Sequence, residues 1–167
     1  MSLPTYDEQS IAKAAPKVLL PGDGNSVMVG NDKYTFKVTG DDTYGRFGLF
    51  EVRMNGRSGI KPHTHKEMIE MFYVVEGEMT FLVGDTQKTL TTGSIATIPR
   101  SMKHAFANSG DHLAIMHIMF CPAAKREHYF EGLAEMAKQA GSIDPEALRR
   151  FWSENDQFPA EDSSWPY

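Results

Sequence analysis

A single cysteine, Cys121, occurs in the 167 residues, so no internal disulfide can staple the chain. A lone thiol fits either a reducing compartment or a small side chain packed in a core. Basic charge is not in excess either: 17 Lys and Arg stand against 22 Asp and Glu, the net charge is −5, and the basic residues are scattered. That pattern leaves no electrostatic footprint for nucleic acid, which is not an expected partner. No apolar run approaches the roughly 20 residues that cross a bilayer, and the N-terminus has no basic region followed by an apolar one. The expectation is a cytoplasmic protein with no membrane partner. Internal repeats are missing as well. What is present is ordinary globular composition, 41% apolar and 23% charged, at a length that buries a core without metal or disulfide staples.

Short apolar stretches recur at 69–76, 78–84, 87–91, 95–99, 104–108 and 112–120, with glycines at 77, 84, 93 and 110 between them. Short strands at that spacing, with no helical period between them, predict an all-β antiparallel sandwich or barrel. Before them, residues 1–43 read as an N-terminal arm with edge strands. A short strand is expected at Lys17–Pro21, and further strands at Val27–Val29 and Lys33–Val38. The barrel itself is expected over 44–121, and 122–167 as C-terminal helices and tail. After Pro122, Tyr129, Phe130, Leu133, Met136, Ala137 and Ala140 fall on one helical face, with Gly141 as C-cap. A second helix opens with Asp144 as N-cap and Pro145 at its first position, and carries Leu148, Phe151 and Trp152. Both helices are expected to cover an opening or edge of the barrel. The polar tail from Asn155 to Tyr167, with Trp165 near its end, reads either as loose or as crossing to a partner subunit.

The stretch that organises the chain is GIKPHTHKEMIEMFYVVEG, Gly59 to Gly77. His63 and His65 are two apart, so on an extended strand both imidazoles point the same way. Glu70 adds a carboxylate if the backbone turns after His65. Two imidazoles and a carboxylate suit a divalent first-row transition metal, one of Fe, Mn, Ni, Co, Cu or Zn. His104 is a fourth candidate ligand. The alternative is a metal-free hydrogen-bonded cluster of the same residues. Glu67 is the rival carboxylate. Phe72 and Val74 share parity with Glu70, and Phe106 with His104, so all three are candidate walls of a substrate pocket or simply core. His117 either reaches that pocket from the last strand or faces solvent. His112, His128, Glu76 and Glu78 read as surface residues.

Two patterns carry a resemblance: His63-x-His65-x4-Glu70-x6-Gly77, and Gly93-x5-Pro99 followed by His104-x3-Asn108. They resemble the paired motifs of the cupin superfamily, and the fifteen residues between Gly77 and Gly93 are a usual inter-motif length there. Gly59 sits two residues closer to His63 than in the family pattern, and Ser101 replaces a glycine. The run from Phe72 to Asp85 and the ending Phe120-Cys-Pro-Ala-Ala resemble bacterial single-domain cupins grouped with quercetin 2,3-dioxygenase. The resemblance implies a double-stranded β-helix, the jelly-roll barrel, and one metal on His63, His65, Glu70 and His104. It implies a homodimer through the N-terminal strands and a small-molecule substrate. It also implies a dioxygenase-type oxidoreductase with Glu70 as base. A metal-dependent isomerase or lyase acting on a sugar or small acid, and a non-enzymatic ligand-binding cupin, are the alternatives.

Overall fold

The computed structural model describes residues 15–138 and 144–167. The expected arm up to residue 14 and the expected cap at Gly141 lie outside the described residues. Twelve strands follow: β1 (Asn25–Val29), β2 (Asp32–Val38), β3 (Gly48–Met54), β4 (Ser58–Gly59), β5 (His63–Thr64), β6 (Ile69–Glu76), β7 (Glu78–Val83), β8 (Thr86–Thr91), β9 (Ile95–Ile98), β10 (His104–Asn108), β11 (Ala114–Cys121) and β12 (Phe158–Pro159). Two helices, α1 (Arg126–Lys138) and α2 (Pro145–Glu154), separate β11 from β12. One six-stranded sheet runs β1-β2-β3-β11-β6-β9; the other runs β12-β5-β10-β7-β8, with β4 also paired to β10. All the pairings are antiparallel.

Alternation along the strands decides which side chains meet. On β6, Glu70, Phe72 and Val74 are buried, while Ile69 and Tyr73 are exposed. Between the sheets, Phe50, Phe72, Phe81, Phe120, Met54, Met79 and Met116 make a core in which none exceeds 1% exposure. Each such side chain contributes roughly 1.5–3 kcal/mol by leaving water. Gly77 turns the chain between β6 and β7 at φ 81°, where a side chain would be strained and would crowd Ala114.

Two sequence expectations are revised here. Lys17 to Leu20 forms no strand and is largely exposed, because its apolar residues find no partner sheet. β2 is not an edge: it pairs with β1 on one side and β3 on the other. Cys121 is exposed at the end of β11, since the alternation that buries Ile118 and Phe120 turns it outward. The second helix starts as its sequence predicts, with Asp144 accepting a hydrogen bond from the Glu146 amide at 3.1 Å. Gly132 in α1 allows the Phe151 ring of α2 to lie against it, where a Cβ would collide.

The tail is neither loose nor directed away from its own barrel. β10 is buried at all five positions, HAFAN: His104 and Phe106 face inward, and Ala105 and Ala107 face a second small cluster with Leu82 and Trp165. Trp165 covers that outer face and donates its Nε1–H to the Ile60 carbonyl at 2.8 Å. Tyr167 lies against Gly59, where any Cβ would overlap its ring. Further along, Asp162 receives the Lys103 ammonium at 2.8 Å. Polar residues hide this docking from a periodicity reading, because the tail is pinned by single anchors and not by a continuous apolar face.

Replacing Trp165 with Ala is expected to destabilise the fold by about 3 kcal/mol, read from urea unfolding. Acid sensitivity follows from Asp162, which the Lys103 ammonium and Ser164 hold down to about 2. A carboxyl with a lower folded than unfolded pKa adds stability above its unfolded value of about 3.9 and loses it as pH falls. The stability gap between the wild type and Lys103→Ala is therefore expected to close between about pH 4 and about pH 2.

Candidate metal centre

Four side chains from three strands and one loop converge at the inner face of the barrel. His63 begins β5, His65 follows it, Glu70 lies on β6, and His104 begins β10 directly across from His63. Their ligand atoms lie within 4.8 Å of one another, and exposure is 3% for His63, 2% for His65, 3% for Glu70 and 1% for His104. It is the only such cluster among the described residues. The turn after His65 that the sequence requires is present, and Glu67 points to solvent.

Backbone carbonyls fix the tautomers. His63 Nδ1 lies 3.0 Å from the Lys61 oxygen and His104 Nδ1 lies 2.9 Å from the Met102 oxygen. His65 Nδ1 contacts the Asp156 carbonyl. A carbonyl only accepts, so each Nδ1 donates its proton and each Nε2 turns inward. His104 Nε2 then faces Glu70 Oε2 at 2.7 Å, and His65 Nε2 faces Glu70 Oε1 at 3.4 Å. Nε2 atoms set against a carboxylate at these distances require a proton or a cation between them. His65 Nε2 is buried with no hydrogen-bond partner at all, a cost that a bound cation removes. The residues present therefore fit a divalent metal.

Charge state agrees with that donor set. Burial, reinforced by His104, pushes His63 well below the usual imidazole value, so it is neutral and available near neutrality. Burial alone would raise Glu70, but His65 and His104 outweigh it and hold the carboxyl well below the ordinary range. Glu70 is ionised.

Two loops hold the ligands in place. Asp156, just after α2, accepts from the amides of Lys66, Glu67 and Met68 at 2.8, 2.9 and 3.1 Å, while its own carbonyl takes the His65 proton. It does so at φ 54°, a left-handed conformation that Asp tolerates better than most residues. Ser101 occupies the turn before His104 at φ 61°. The missing glycine has therefore not removed the turn; its amide donates to the His65 carbonyl at 2.6 Å, tying the two ligand loops together.

A cavity of about 260 Å³ opens beside the cluster. His63 and Glu70 form part of its wall, with Phe106, Ile118 and Phe120 from the sheets, Tyr129, Phe130 and Leu133 from α1, and Trp152 from α2. Phe106 thus borders the cavity as its parity predicts. Phe72 and Val74 share the inward face but sit deeper in the core, and Phe72 packs against Phe81 at 5.1 Å. His117 is on the opposite face of β11, 3.9 Å from Glu51. His112 and His128 are exposed. Sequence reading missed Arg126, Asp156 and Gln157. Their only signal was position in or just after the C-terminal helices, because their partners lie far away in the chain.

Residues 50–120 match the Cupin_2 family, described as a cupin domain. The barrel is a cupin domain. Over 95 residues the chain is 28% identical to the quercetin 2,3-dioxygenase of Bacillus subtilis (strain 168), covering 56% of this chain and 28% of that protein. The chain thus spans less than a third of the curated relative it matches. An RmlC-like cupin from Shewanella frigidimarina superposes with a TM-score of 0.59 at 18% identity, covering 68% of this chain and 96% of that one. The polyketide cyclase RemF from Streptomyces resistomycificus does so with a TM-score of 0.58 at 21% identity, covering 64% and 80%. These likenesses establish the jelly-roll fold. Here the barrel is joined by a tail that reaches back to a ligand loop.

Asp156→Ala is expected to keep the fold while lowering metal affinity about 10-fold or more, because the His65 loop loses three hydrogen bonds. Competition with a coloured chelator measures it.

Proposed function

We propose that this cupin is a metal-dependent, dioxygenase-type oxidoreductase acting on a small, oxygen-rich, enol-like compound. The observation that carries the reading is the opening of the His63, His65, Glu70, His104 cluster onto a largely apolar, aromatic-walled cavity. Similarity to a quercetin 2,3-dioxygenase supports it. A metal on these ligands supplies Lewis acidity and, if redox-active, a route for electrons between substrate and O₂. Both oxygen atoms enter the substrate, so no further reductant is needed.

The chain's own groups have distinct tasks in this proposal. Glu70, ionised and beside the cavity, accepts the proton of the substrate hydroxyl. Phe106, Phe120, Tyr129 and Phe130 exclude water and stack on an unsaturated ring. Size restricts the substrate. About 150 Å³ holds benzene and drug-sized sites begin near 300 Å³, so a cavity of about 260 Å³ fits one substituted ring rather than a whole three-ring flavonol.

A second reading is favoured by one observation. Arg126 adds a buried cation to the apolar wall, as a small acid would require, which supports a lyase or isomerase using the metal as Lewis acid without O₂. The homodimer belongs to the proposal too, supported by the open outer edge of β1, where Met28 is exposed.

The test is oxygen uptake by protein loaded in turn with Fe, Mn, Co and Ni, against single-ring enols and hydroxylated aromatics. Uptake matched to product, and reduced at least about 100-fold in Glu70→Gln, is expected. Turnover that proceeds equally well under argon selects the Lewis-acid reading, and no O₂ uptake with full metal loading contradicts the oxidative one.

A further inference from the structure

Arg126 opens α1, yet its side chain turns inward and is only 3% exposed. Burying a guanidinium is costly unless it is paired. No carboxylate pairs with it within salt-bridge distance among the described residues. Its Nη1 donates to the Asn155 carbonyl at 3.0 Å and its Nη2 to Gln157 Oε1. Both acceptors are neutral. The guanidinium lies 3.9 Å over the Tyr129 ring and 5.4 Å from the rings of Phe120 and Phe130. Its Nε is buried with no hydrogen-bond partner.

That arrangement leaves a buried cation with no carboxylate partner beside the cavity that also holds His63 and Glu70. A guanidinium cation matches a carboxylate or a delocalised enolate, and the aromatic faces around it match a ring. The negatively charged Glu70 at the cluster leaves the two polar ends of the cavity unlike: one takes a metal and a substrate oxygen, the other an anion.

We propose that Arg126 is a specificity-determining residue that receives the anionic group of a small, single-ring ligand whose other end reaches the metal cluster. The substrate class is thereby narrowed to compounds carrying both a carboxylate or enolate and an unsaturated ring. The inference rests on reading the cavity as the substrate site, and not on the reaction being oxidative.

Benzoate and its neutral isostere benzamide are the probes, titrated calorimetrically into the metal-loaded full chain. Benzoate is expected to bind at least about 10-fold more tightly than benzamide, the usual worth of a charge-assisted hydrogen bond. Arg126→Gln removes that preference, and continued binding of benzamide by the variant shows that the cavity persists; Arg126→Lys keeps part of the preference. Equal affinities in the wild type, or no binding of either probe, overturn the proposal. So does a preference that survives Arg126→Gln, since the carboxylate then sits on the metal. If O₂ uptake fails while the charge preference holds, the oxidative reading falls and the anion site stands.

Discussion

Three imidazoles that each give their Nδ1 proton to a backbone carbonyl are the constraint on which the rest of the centre depends. His63, His65 and His104 could rotate or exchange tautomers if those carbonyls were absent; with Lys61, Asp156 and Met102 in place, all three Nε2 atoms turn toward Glu70. An ionised carboxylate faced by these buried Nε2 atoms calls for positive charge among them, a proton or a bound cation. The fold supplies the geometry cheaply, since His63 and His104 are cross-strand partners.

The carbonyl that orients His65 belongs to residue 156, which couples the centre to the C-terminal segment. Arg126 and Asp156 bracket that coupling: one holds the Asn155 carbonyl and the Gln157 side chain after α2, the other grips the loop after β5. Trp165 then seals the outer face of β10, the strand that carries His104. Two stretches of the tail thus act on two ligand-bearing segments. The helices that wall the cavity and the tail that positions a ligand are consecutive in the chain, so changes in this region bear on ligand fit and metal geometry together.

Much of this was legible before any coordinates. Short apolar stretches bounded by glycines located β6 to β11 to within a few residues, and the spacing of His63, His65, Glu70 and His104 identified the residues that the fold brings together. Parity predicted which way Phe72, Val74 and Phe106 face; it could not predict depth, which separates Phe106 at the cavity from Phe72 in the core. For His117 parity decided more than was drawn from it, since Ile118 and Phe120 border the cavity and their neighbour must face away. The tail was illegible for a different reason. Asp156 and His65 are 91 residues apart, and nothing local in a polar segment records a partner at that distance. Arg126 was hidden similarly: at the first turn of an amphipathic helix an arginine ordinarily faces water, and only the tertiary structure shows this one turned inward.

Metal content by plasma mass spectrometry, on protein purified without chelators and on its His104→Ala variant, tests the central claim most directly. The account predicts about one equivalent of a divalent transition metal in the wild type and less than about a tenth of that in the variant, with folding retained by circular dichroism. A wild-type protein that stays empty after reconstitution with Fe, Mn, Ni and Zn, or a variant that holds metal equally well, would contradict it.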